Sequence, residues 1–429
     1  MKYIIVTLGC KVNQVETQAM ESLLRSHGHE PAAEGECAEA VIVNSCAVTA
    51  ESGRKTRQTV RRLRDGNPGA VVAVCGCYSQ LEPEVSAALG ADVIYGSSDR
   101  VSFVTAVEEA VSERKKAVFV DRPFERHEME PIPAGALDGR TRAMLKVQDG
   151  CANFCSYCVI PYTRGRPRSL PMEKAAEESA RMEAAGCREL ILTGIEIASY
   201  GIDLPGKPDL ADLVSTIAQN AGSGMRIRLG SLEPTVVTES FCERLAAAGK
   251  LCRHFHLSLQ SGCDRTLKAM NRKYDTAFFL SAVGRLRKAF PGCAISTDLI
   301  TGFPGESEGD HAETLRFLET CAFSHMHIFP YSRRPGTQAD KMPEQCTAAV
   351  KARRAAEAKE VAARMHAAYL GAQCGLTLEV LFENGSGDGS VGHSDNYLLV
   401  RVPENALAGQ VKNVKITSVS GSELVGFAV

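Results

Sequence analysis

The chain has 429 residues, more than one ordinary domain holds, so two or three domains are expected. Its composition, 44% hydrophobic and 23% charged, excludes a disordered or fibrous chain and indicates a folded soluble protein. The formal net charge of -2 excludes a protein that is basic throughout, so nucleic-acid binding would depend on local patches. Gly9 interrupts the first apolar run too early for a signal peptide, and no run reaches the ~20 apolar residues of a membrane span.

Sixteen cysteines are spread along the chain. Without a secretion signal, metal-bound thiolates in a reducing compartment explain them better than a disulfide framework does. We therefore expect a cytoplasmic protein that has no membrane partner.

The first 125 residues alternate short apolar runs with helical patterns. Strands are predicted at residues 3–8, 41–44 and 70–74, and helices at 13–26 and 50–64, so we expect an amino-terminal α/β domain with a parallel sheet over residues 1–125. Cys10, Cys46 and Cys77 are 36 and 31 residues apart, and each follows a strand. Because the carboxyl ends of parallel strands share one edge, these thiols can meet in one site.

Two alternatives stay open for this first trio. Buried structural thiols are common in α/β cores. Cys75 also competes with Cys77, because strand alternation puts both on one face; Cys77 is preferred since it follows a glycine beyond the strand, as Cys10 does.

The second predicted helix carries a run of basic residues, which indicates either a solvated face or a surface that contacts RNA phosphates. No acidic residue interrupts it. The run consists of Arg54, Lys55, Arg57, Arg61, Arg62 and Arg64.

Residues 121–140 are rich in Pro, Glu and Gly and are predicted to form a linker. A second α/β series follows, with strands predicted at 143–147, 189–193, 225–229, 254–259, 295–300 and 325–329. Six βα repeats favour a partial, TIM-like (βα)6 barrel over residues 137–368.

Three more cysteines follow the first strand of this barrel, in the sequence CANFCSYC. One compact loop can bring Cys151, Cys155 and Cys158 onto three irons of a 4Fe-4S cluster and leave the fourth iron open. A closed zinc site needs a fourth protein ligand, so a partial zinc loop or plain buried thiols are the weaker interpretations. With Tyr157 before the last cysteine, the motif resembles that of the radical S-adenosylmethionine (SAM) enzymes, in which the open iron binds SAM and reduces it to a 5'-deoxyadenosyl radical.

Glycines and small polar residues end several later strands of the barrel, where such folds keep their ligands. These segments follow the cysteine loop along the chain, and in that order they resemble the SAM-contacting segments of that family. The resemblance implies that Gly194 and Glu196 lie near the methionyl amine, and that Ser258 and Gln260 lie near the ribose or carboxylate.

Basic residues are also predicted around the barrel mouth, as an RNA-binding rim or as partners of local carboxylates. Tyr162 and Tyr331 could stack on bases there. The basic residues are Arg164, Arg166, Arg168, Arg333 and Arg334.

A helix is predicted over residues 344–370, before a carboxy-terminal unit over residues 369–429. Strands predicted at 376–382, 397–402, 410–417 and 424–429 alternate with Gly- and Asn-rich turns, which indicates a small antiparallel barrel. Residues 393–397 (HSDNY) resemble the TRAM domain, an OB-like RNA-binding module, so His393 could contact RNA. A loop histidine more often has no special role.

The motifs TLGCKVNQVET (7–17), NSCAVT (44–49) and GCYSQ (76–80), together with the order of the three domains, resemble the methylthiotransferase family. This resemblance implies that Cys10, Cys46 and Cys77 hold an auxiliary 4Fe-4S cluster. The first and third motifs are most similar to the group of enzymes that adds a methylthio group to carbon 2 of N6-threonylcarbamoyladenosine, on the 3' side of the tRNA anticodon.

The resemblance further implies a tRNA anticodon stem-loop as partner, a reducing electron-transfer protein and a sulfur source. Alternatives are a relative that acts on isopentenyl-adenosine or on an aspartate of a ribosomal protein. A non-catalytic RNA-binding protein with structural metal is the alternative from another class.

Overall fold

The computed structural model describes residues 1–130, 132, 139–222, 224–386 and 389–429. Three units follow one another along the chain: a parallel sheet, a partial barrel and a small closed barrel. The predicted fold class is confirmed. The domain limits at 1–125, 137–368 and 369–429 stay predictions, and part of the predicted linker, residues 131 and 133–138, lies outside the described residues.

The first unit is a six-stranded parallel sheet in the order β2-β1-β3-β4-β5-β6, covered by helices. The central strands β3 and β4 are buried along their whole length, which explains their unbroken apolar sequence. The elements are β1 (Lys2–Thr7), α1 (Lys11–Ser26), β2 (Glu30–Pro31), β3 (Ala40–Ser45), α2 (Ala50–Gly66), β4 (Val71–Gly76), α3 (Cys77–Leu81), α4 (Pro83–Ala88), β5 (Val93–Tyr95), α5 (Arg100–Glu113) and β6 (Ala117–Phe119).

The second unit contains the six predicted barrel strands and one short further strand, β12, in two sheets, β11-β10-β7 and β12-β13-β14-β15. A bridge between Ile227 and Leu251 joins the region of the first sheet to that of the second. Its elements are β7 (Arg142–Lys146), β8 (Gln148–Asp149), α6 (Ile160–Arg164), β9 (Arg168–Ser169), α7 (Met172–Ala184), β10 (Glu189–Thr193), α8 (Leu210–Asn220), β11 (Arg226–Leu229), β12 (Ser231–Leu232), α9 (Glu239–Ala247), β13 (His254–Gln260), α10 (Asp264–Ala269), α11 (Thr276–Ala289), β14 (Ala294–Thr301), α12 (Glu308–Cys321), β15 (His325–Pro330) and α13 (Ala348–Gly371).

The third unit is a closed barrel in the order β16-β17-β18-β20-β19. It has five strands where four were predicted. Four of its strand pairings are antiparallel, as expected, and β18 and β20 pair in parallel. The missed strand is β17, whose glycines 389 and 392 weaken the strand pattern in the sequence. The strands are β16 (Thr377–Ser386), β17 (Gly389–Ser394), β18 (Leu399–Val402), β19 (Val411–Ser420) and β20 (Glu423–Ala428).

The third unit covers the amino-terminal ends of the barrel strands, and buried charges make that contact. Glu189, at the start of β10, lies 2.7 Å from both Arg226 and Arg228. Arg226 donates to the His393 carbonyl at 2.8 Å, and Arg228 donates to the Asp395 carbonyl at 3.1 Å. One carboxylate therefore orients the two guanidinium groups that hold the small barrel in place. Among the helices of the described residues, none is long and apolar enough to cross a membrane.

Glu189→Gln should lower the free energy of unfolding by about 3–5 kcal/mol, because it leaves two buried guanidinium groups without their carboxylate. Burial raises the pKa of Glu189, but the adjacent arginines outweigh it and hold the pKa at about 2, against an ordinary value of 4.5. The stabilisation is therefore complete above pH 4.5 and is lost as the pH falls toward 2. Urea unfolding of both proteins at pH 7 and pH 3 measures it.

Glu379→Gln is the matched control, since Glu379 also lies 3.4 Å from Arg226 but is half exposed. Its loss should cost less than about 1 kcal/mol at either pH. If the two variants lost the same free energy of unfolding, the role given to Glu189 would be contradicted.

Candidate functional site

The first cysteine trio lies at the carboxyl edge of the amino-terminal sheet. Cys10 precedes α1, Cys46 follows β3 and Cys77 opens α3. Burial raises the pKa of Cys46, and the thiols of Cys77 and Cys10 raise it further. The three sulfurs are thus close enough to act on one another, so the structure brings together the three residues that the sequence selected.

Two glycines allow this convergence. A side chain at Gly9 would place its Cβ 2.9 Å from the Cys46 sulfur, and one at Gly76 would lie 2.5 Å from the Ser45 carbonyl oxygen. Both residues also have positive φ angles, 113° and 102°, which favour glycine. The turn at Gly76 directs Cys77 toward the other thiols, whereas Cys75 remains buried in the sheet core.

The second trio lies in the loop that follows β8. The backbone N–H of Asn153 donates to the Cys151 sulfur at 3.5 Å, and that of Ile160 donates to the Cys158 sulfur at 3.4 Å. Burial raises the pKa of Cys158 to about 12, and Cys155 adds to the rise, as does Cys77 of the first trio. The two trios therefore face one another across the contact between the first two units.

Each trio has one buried arginine that donates to a sulfur. Arg164 Nε lies 3.2 Å from Cys77 Sγ, and Arg272 Nη1 lies 3.1 Å from Cys155 Sγ. The two arginines hold these sulfurs in position within their trios. Because cysteine sulfur is the ligand that iron-sulfur clusters use, both trios have the donor chemistry that such clusters require.

Arg164 also belongs to a buried charge network that joins the two units. The Glu16 carboxylate of α1 is fully buried and contacts Arg100 at 3.1 Å, Lys146 at 2.8 Å and Arg164. Asp149 accepts from Lys146 at 2.8 Å, and these carboxylates keep a low pKa because the cations outweigh the effect of burial. Arg164 thus contacts both this network and the first trio.

The residues expected to contact SAM line the mouth of the partial barrel. Tyr157 Oη lies 3.4 Å from Arg272. A side chain at Gly194 would place its Cβ 2.8 Å from the Gln148 carbonyl oxygen, so only glycine fits there. Burial and the neighbouring Glu233 raise the pKa of Glu196 to about 8, as expected for a carboxyl group whose pocket lacks a paired cation.

Ser258 and Gln260 end strand β13, on the same side as the second trio. The Ser258 carbonyl accepts from Arg272 Nη2 at 3.2 Å. Gln260 has a φ of 69°, a backbone conformation uncommon for a residue with a side chain. Arg272 thus links a cysteine, Tyr157 and the end of β13. Whether these five residues contact SAM stays a prediction.

Of the two alternatives for the basic residues near the barrel mouth, the RNA-binding rim is wrong for three arginines, and pairing with carboxylates holds for Arg164 and Arg168. Arg164, Arg168 and Arg334 are buried, with at most 8% of each side chain exposed, and they serve the contacts between elements. Tyr331 is likewise buried and cannot stack on a base. Arg166 and Tyr162 are exposed as predicted, and the exposed Arg333 pairs with Asp340.

The basic run of α2 is partly neutralised by the acidic residues that flank it. Glu51 pairs with Arg54, and Asp65 pairs with Arg64. Lys55, Arg61 and Arg62 are exposed between those ends. His393 lies within strand β17, one residue before its end, and shares a hydrogen bond of 2.6 Å with Glu383, so it does not lie in a free loop.

Three functional residues were missed from the sequence: Glu16, Arg272 and Glu233. Glu16 lies inside the motif that follows Cys10, and its charge between apolar helix positions Val12, Val15 and Ala19 was a usable signal. Arg272 and Glu233 lie in turns after α10 and β12, and no local pattern indicates that either side chain is buried.

The comparisons with known proteins agree with this geometry. A model described as the radical SAM superfamily matches residues 145–318, and one described as uncharacterized protein family UPF0004 matches residues 2–96. The solved structure of the radical S-adenosylmethionine methyltransferase TsrM from Kitasatospora setae superposes with a TM-score of 0.57 at 15% identity, over 90% of this chain and 79% of that chain. The fold and the cysteine loop define a radical SAM protein.

Relatives that match nearly the whole chain narrow the class of protein further. The Threonylcarbamoyladenosine tRNA methylthiotransferase MtaB of Bacillus subtilis is 35% identical over 96% of this chain and 92% of its own length. The tRNA-2-methylthio-N(6)-dimethylallyladenosine synthase of Carboxydothermus hydrogenoformans is 33% identical over 99% and 94%. The chain belongs to the methylthiotransferase family.

Arg164→Met should lower the free energy of unfolding by about 3–5 kcal/mol, because it leaves the Glu16 carboxylate with one cation fewer in a buried site. It should also increase hydrogen exchange along α1 and α6, whose contact Arg164 maintains. Denaturant unfolding and hydrogen-exchange mass spectrometry measure the two effects.

Arg62→Met removes the same charge from the exposed face of α2 and should change stability by no more than about 0.5 kcal/mol. If Arg164→Met were as mild as this control, the network would not be what joins the two units.

Proposed function

We propose that the protein adds a methylthio group to carbon 2 of N6-threonylcarbamoyladenosine in the anticodon stem-loop of tRNA. The observation that carries this proposal is the pair of cysteine trios that face one another across the first two units. The substrate and the reaction are those named for two relatives, the threonylcarbamoyladenosine tRNA methylthiotransferases MtaB of Bacillus subtilis and Thermotoga maritima. The second trio, in the barrel, suits the opening of a C–H bond, and the first trio, in the amino-terminal sheet, suits the delivery of sulfur.

In this proposal Cys151, Cys155 and Cys158 hold a 4Fe-4S cluster with SAM, and Cys10, Cys46 and Cys77 hold a second cluster. When bound, these groups supply the radical that opens the unactivated C–H bond and the sulfur that replaces the hydrogen, chemistry that no side chain provides. The protein's own side chains bind and orient the clusters, SAM and the substrate. Arg164 and Arg272 each donate a hydrogen bond to one sulfur of a trio, and Glu196 offers a carboxyl group to the ammonium of SAM.

Exposed aromatic side chains beside the second trio favour a role in holding the RNA. Phe124, Phe154 and Tyr162 are 38–44% exposed and form one group, with ring centroids 5.9–6.3 Å apart. Bases that leave the stack of an RNA loop are commonly held on such rings. The exposed cations Lys55, Arg61 and Arg62 of α2 would meet the phosphate backbone.

Relatives that carry the dimethylallyladenosine name make that adenosine the second candidate substrate. The proposal also requires an electron-transfer protein as reductant, a sulfur source, and the cytoplasmic location where tRNA is modified.

Changing Cys10, Cys46 and Cys77 together to Ala should reduce the iron content of anaerobically reconstituted protein from about eight to about four per chain. It should abolish the methylthio product but leave reductive cleavage of SAM, because the second trio is intact. Iron analysis and mass spectrometry of nucleosides from the reacted tRNA measure these effects.

A variant with Cys37 and Cys374 changed to Ala is the matched control, because both thiols are exposed and lie outside the trios. It should keep all the iron and all the product. Product formation by the triple variant would rule out the proposed auxiliary site.

Phe154→Ala with Tyr162→Ala should weaken tRNA binding by about 1–3 kcal/mol for each base that loses its stacking partner. Fluorescence anisotropy of a labelled anticodon stem-loop measures the affinity. Val101→Ala, a change at an exposed apolar position on α5, is the control and should bind as the wild type does. Unchanged affinity in the double variant would remove the aromatic group from the RNA site.

A further inference from the structure

A cavity of about 420 Å³ lies inside the partial barrel, between its strands, the small carboxy-terminal barrel and the start of α1. Its walls come from alternate positions of β13, β14 and β15, since strand alternation directs every second side chain to one face. The side chains are His254, His256, Ser296, Asp298, His325 and His327. The interior of this barrel is thus polar where a packed barrel would be filled by apolar side chains.

Lys11 reaches this cavity from the other side. It is the first residue of α1 and directly follows Cys10 of the first trio. Burial lowers the pKa of His327 and the charge of Lys11 lowers it further, so the ammonium group lies near that ring. Among the described residues, Lys11 has no hydrogen-bond or ion-pair partner in its exposed position. The cavity therefore has one unpaired cation at the end nearest the cysteines.

The histidine wall offers hydrogen-bonding groups, and Asp298 is the one carboxylate among the side chains named above. His254 and His256 each lie 3.0 Å from the Ser296 hydroxyl. Burial lowers the pKa of His325 as well, so this ring and His327 stay neutral at pH 7. Neither ring is hydrogen-bonded to another residue of the described ranges. Asp298 lies 3.3 Å from His256 and is 30% exposed, which leaves carboxylate oxygen available as an acceptor.

The two candidate substrates differ in what they would bring to such a cavity. A threonylcarbamoyl group carries a carboxylate, a hydroxyl and N–H donors, whereas a dimethylallyl group is a hydrocarbon. A carboxylate leaves water at low cost only where a cation and hydrogen-bond donors replace the water. A hydrocarbon gains nothing from an unpaired lysine and a row of neutral histidines, and it would leave their polar atoms unsatisfied.

We propose that this cavity binds the threonyl end of the N6 substituent, with Lys11 paired to its carboxylate and with Asp298 and His327 hydrogen-bonded to its hydroxyl and N–H groups. This assignment rests on the proposed function and gives it a specificity site. Because Lys11 adjoins Cys10, a substituent held there keeps the adenine ring beside the trio that supplies sulfur. The cavity would then select the substrate and fix the position of carbon 2 at the same time.

The test compares two anticodon stem-loop RNAs that differ at one group. One carries threonylcarbamoyladenosine, and the other carries its carboxamide, which has the same shape without the charge. Wild-type protein should bind the carboxylate RNA about 10- to 100-fold more tightly than the carboxamide RNA, the range of one charge-assisted interaction. Lys11→Met should bind the two RNAs alike, and Lys11→Arg should restore most of the preference. Lys115→Met, which removes an exposed lysine of the same unit, should keep the full preference.

Binding is measured by fluorescence anisotropy, and methylthio product is measured in parallel by mass spectrometry. A second variant, Asp298→Asn, should weaken the binding of both modified RNAs without affecting the binding of RNA that carries plain adenosine. Iron content and SAM cleavage should stay at wild-type values in every variant, which separates a lost contact from a damaged cluster site.

Three results would overturn the assignment. Wild-type protein could bind the two RNAs equally, or Lys11→Met could keep the wild-type preference. A stoichiometric metal other than iron that is lost in Asp298→Asn would instead make His256, Asp298 and His327 a metal site, since their donor atoms lie within 4.8 Å of one another. If wild-type protein binds with the expected preference but forms no product, the proposed reaction fails while the binding site stands.

Discussion

The structure depends on one buried carboxylate, Glu16, which meets three cations from two different units. A single charge in the interior would be prohibitively costly, but Arg100, Lys146 and Arg164 replace the water that Glu16 loses. Lys146 and Arg164 belong to the partial barrel and Glu16 belongs to the amino-terminal sheet. The interaction therefore sets the position of one unit relative to the other, and with it the spacing of the two cysteine trios.

The same network contributes to the chemistry of the first trio. Arg164 donates to both Glu16 and the Cys77 sulfur, and Asn13 connects Arg164 at 3.2 Å with the Cys10 side chain at 3.6 Å. Arg272 has the matching role at Cys155. The same side chains therefore hold the two units together and contact the sulfurs that would bind metal.

The sequence predicted those features that depend on residues close together in the chain. Apolar runs followed by Gly and Cys located the strand ends and both trios, and the six barrel strands were found by their length and spacing. Burial of charge could not be predicted in that way, because it depends on which units meet. Arg164 and Arg334 have the same sequence signature as a solvated basic rim, yet both are interior, and β17 was missed because glycine weakens a strand pattern. The polar cavity inside the barrel needed the same three-dimensional information.

The central claim is that two metal-binding trios face one another across a contact maintained by Glu16. Anomalous diffraction at the iron absorption edge, from anaerobically reconstituted protein, measures it most directly. We expect two iron peaks. One should lie beside Cys10, Cys46 and Cys77 and the other beside Cys151, Cys155 and Cys158, with open space between them for a base. A single peak, or a second peak away from the first trio, would contradict it.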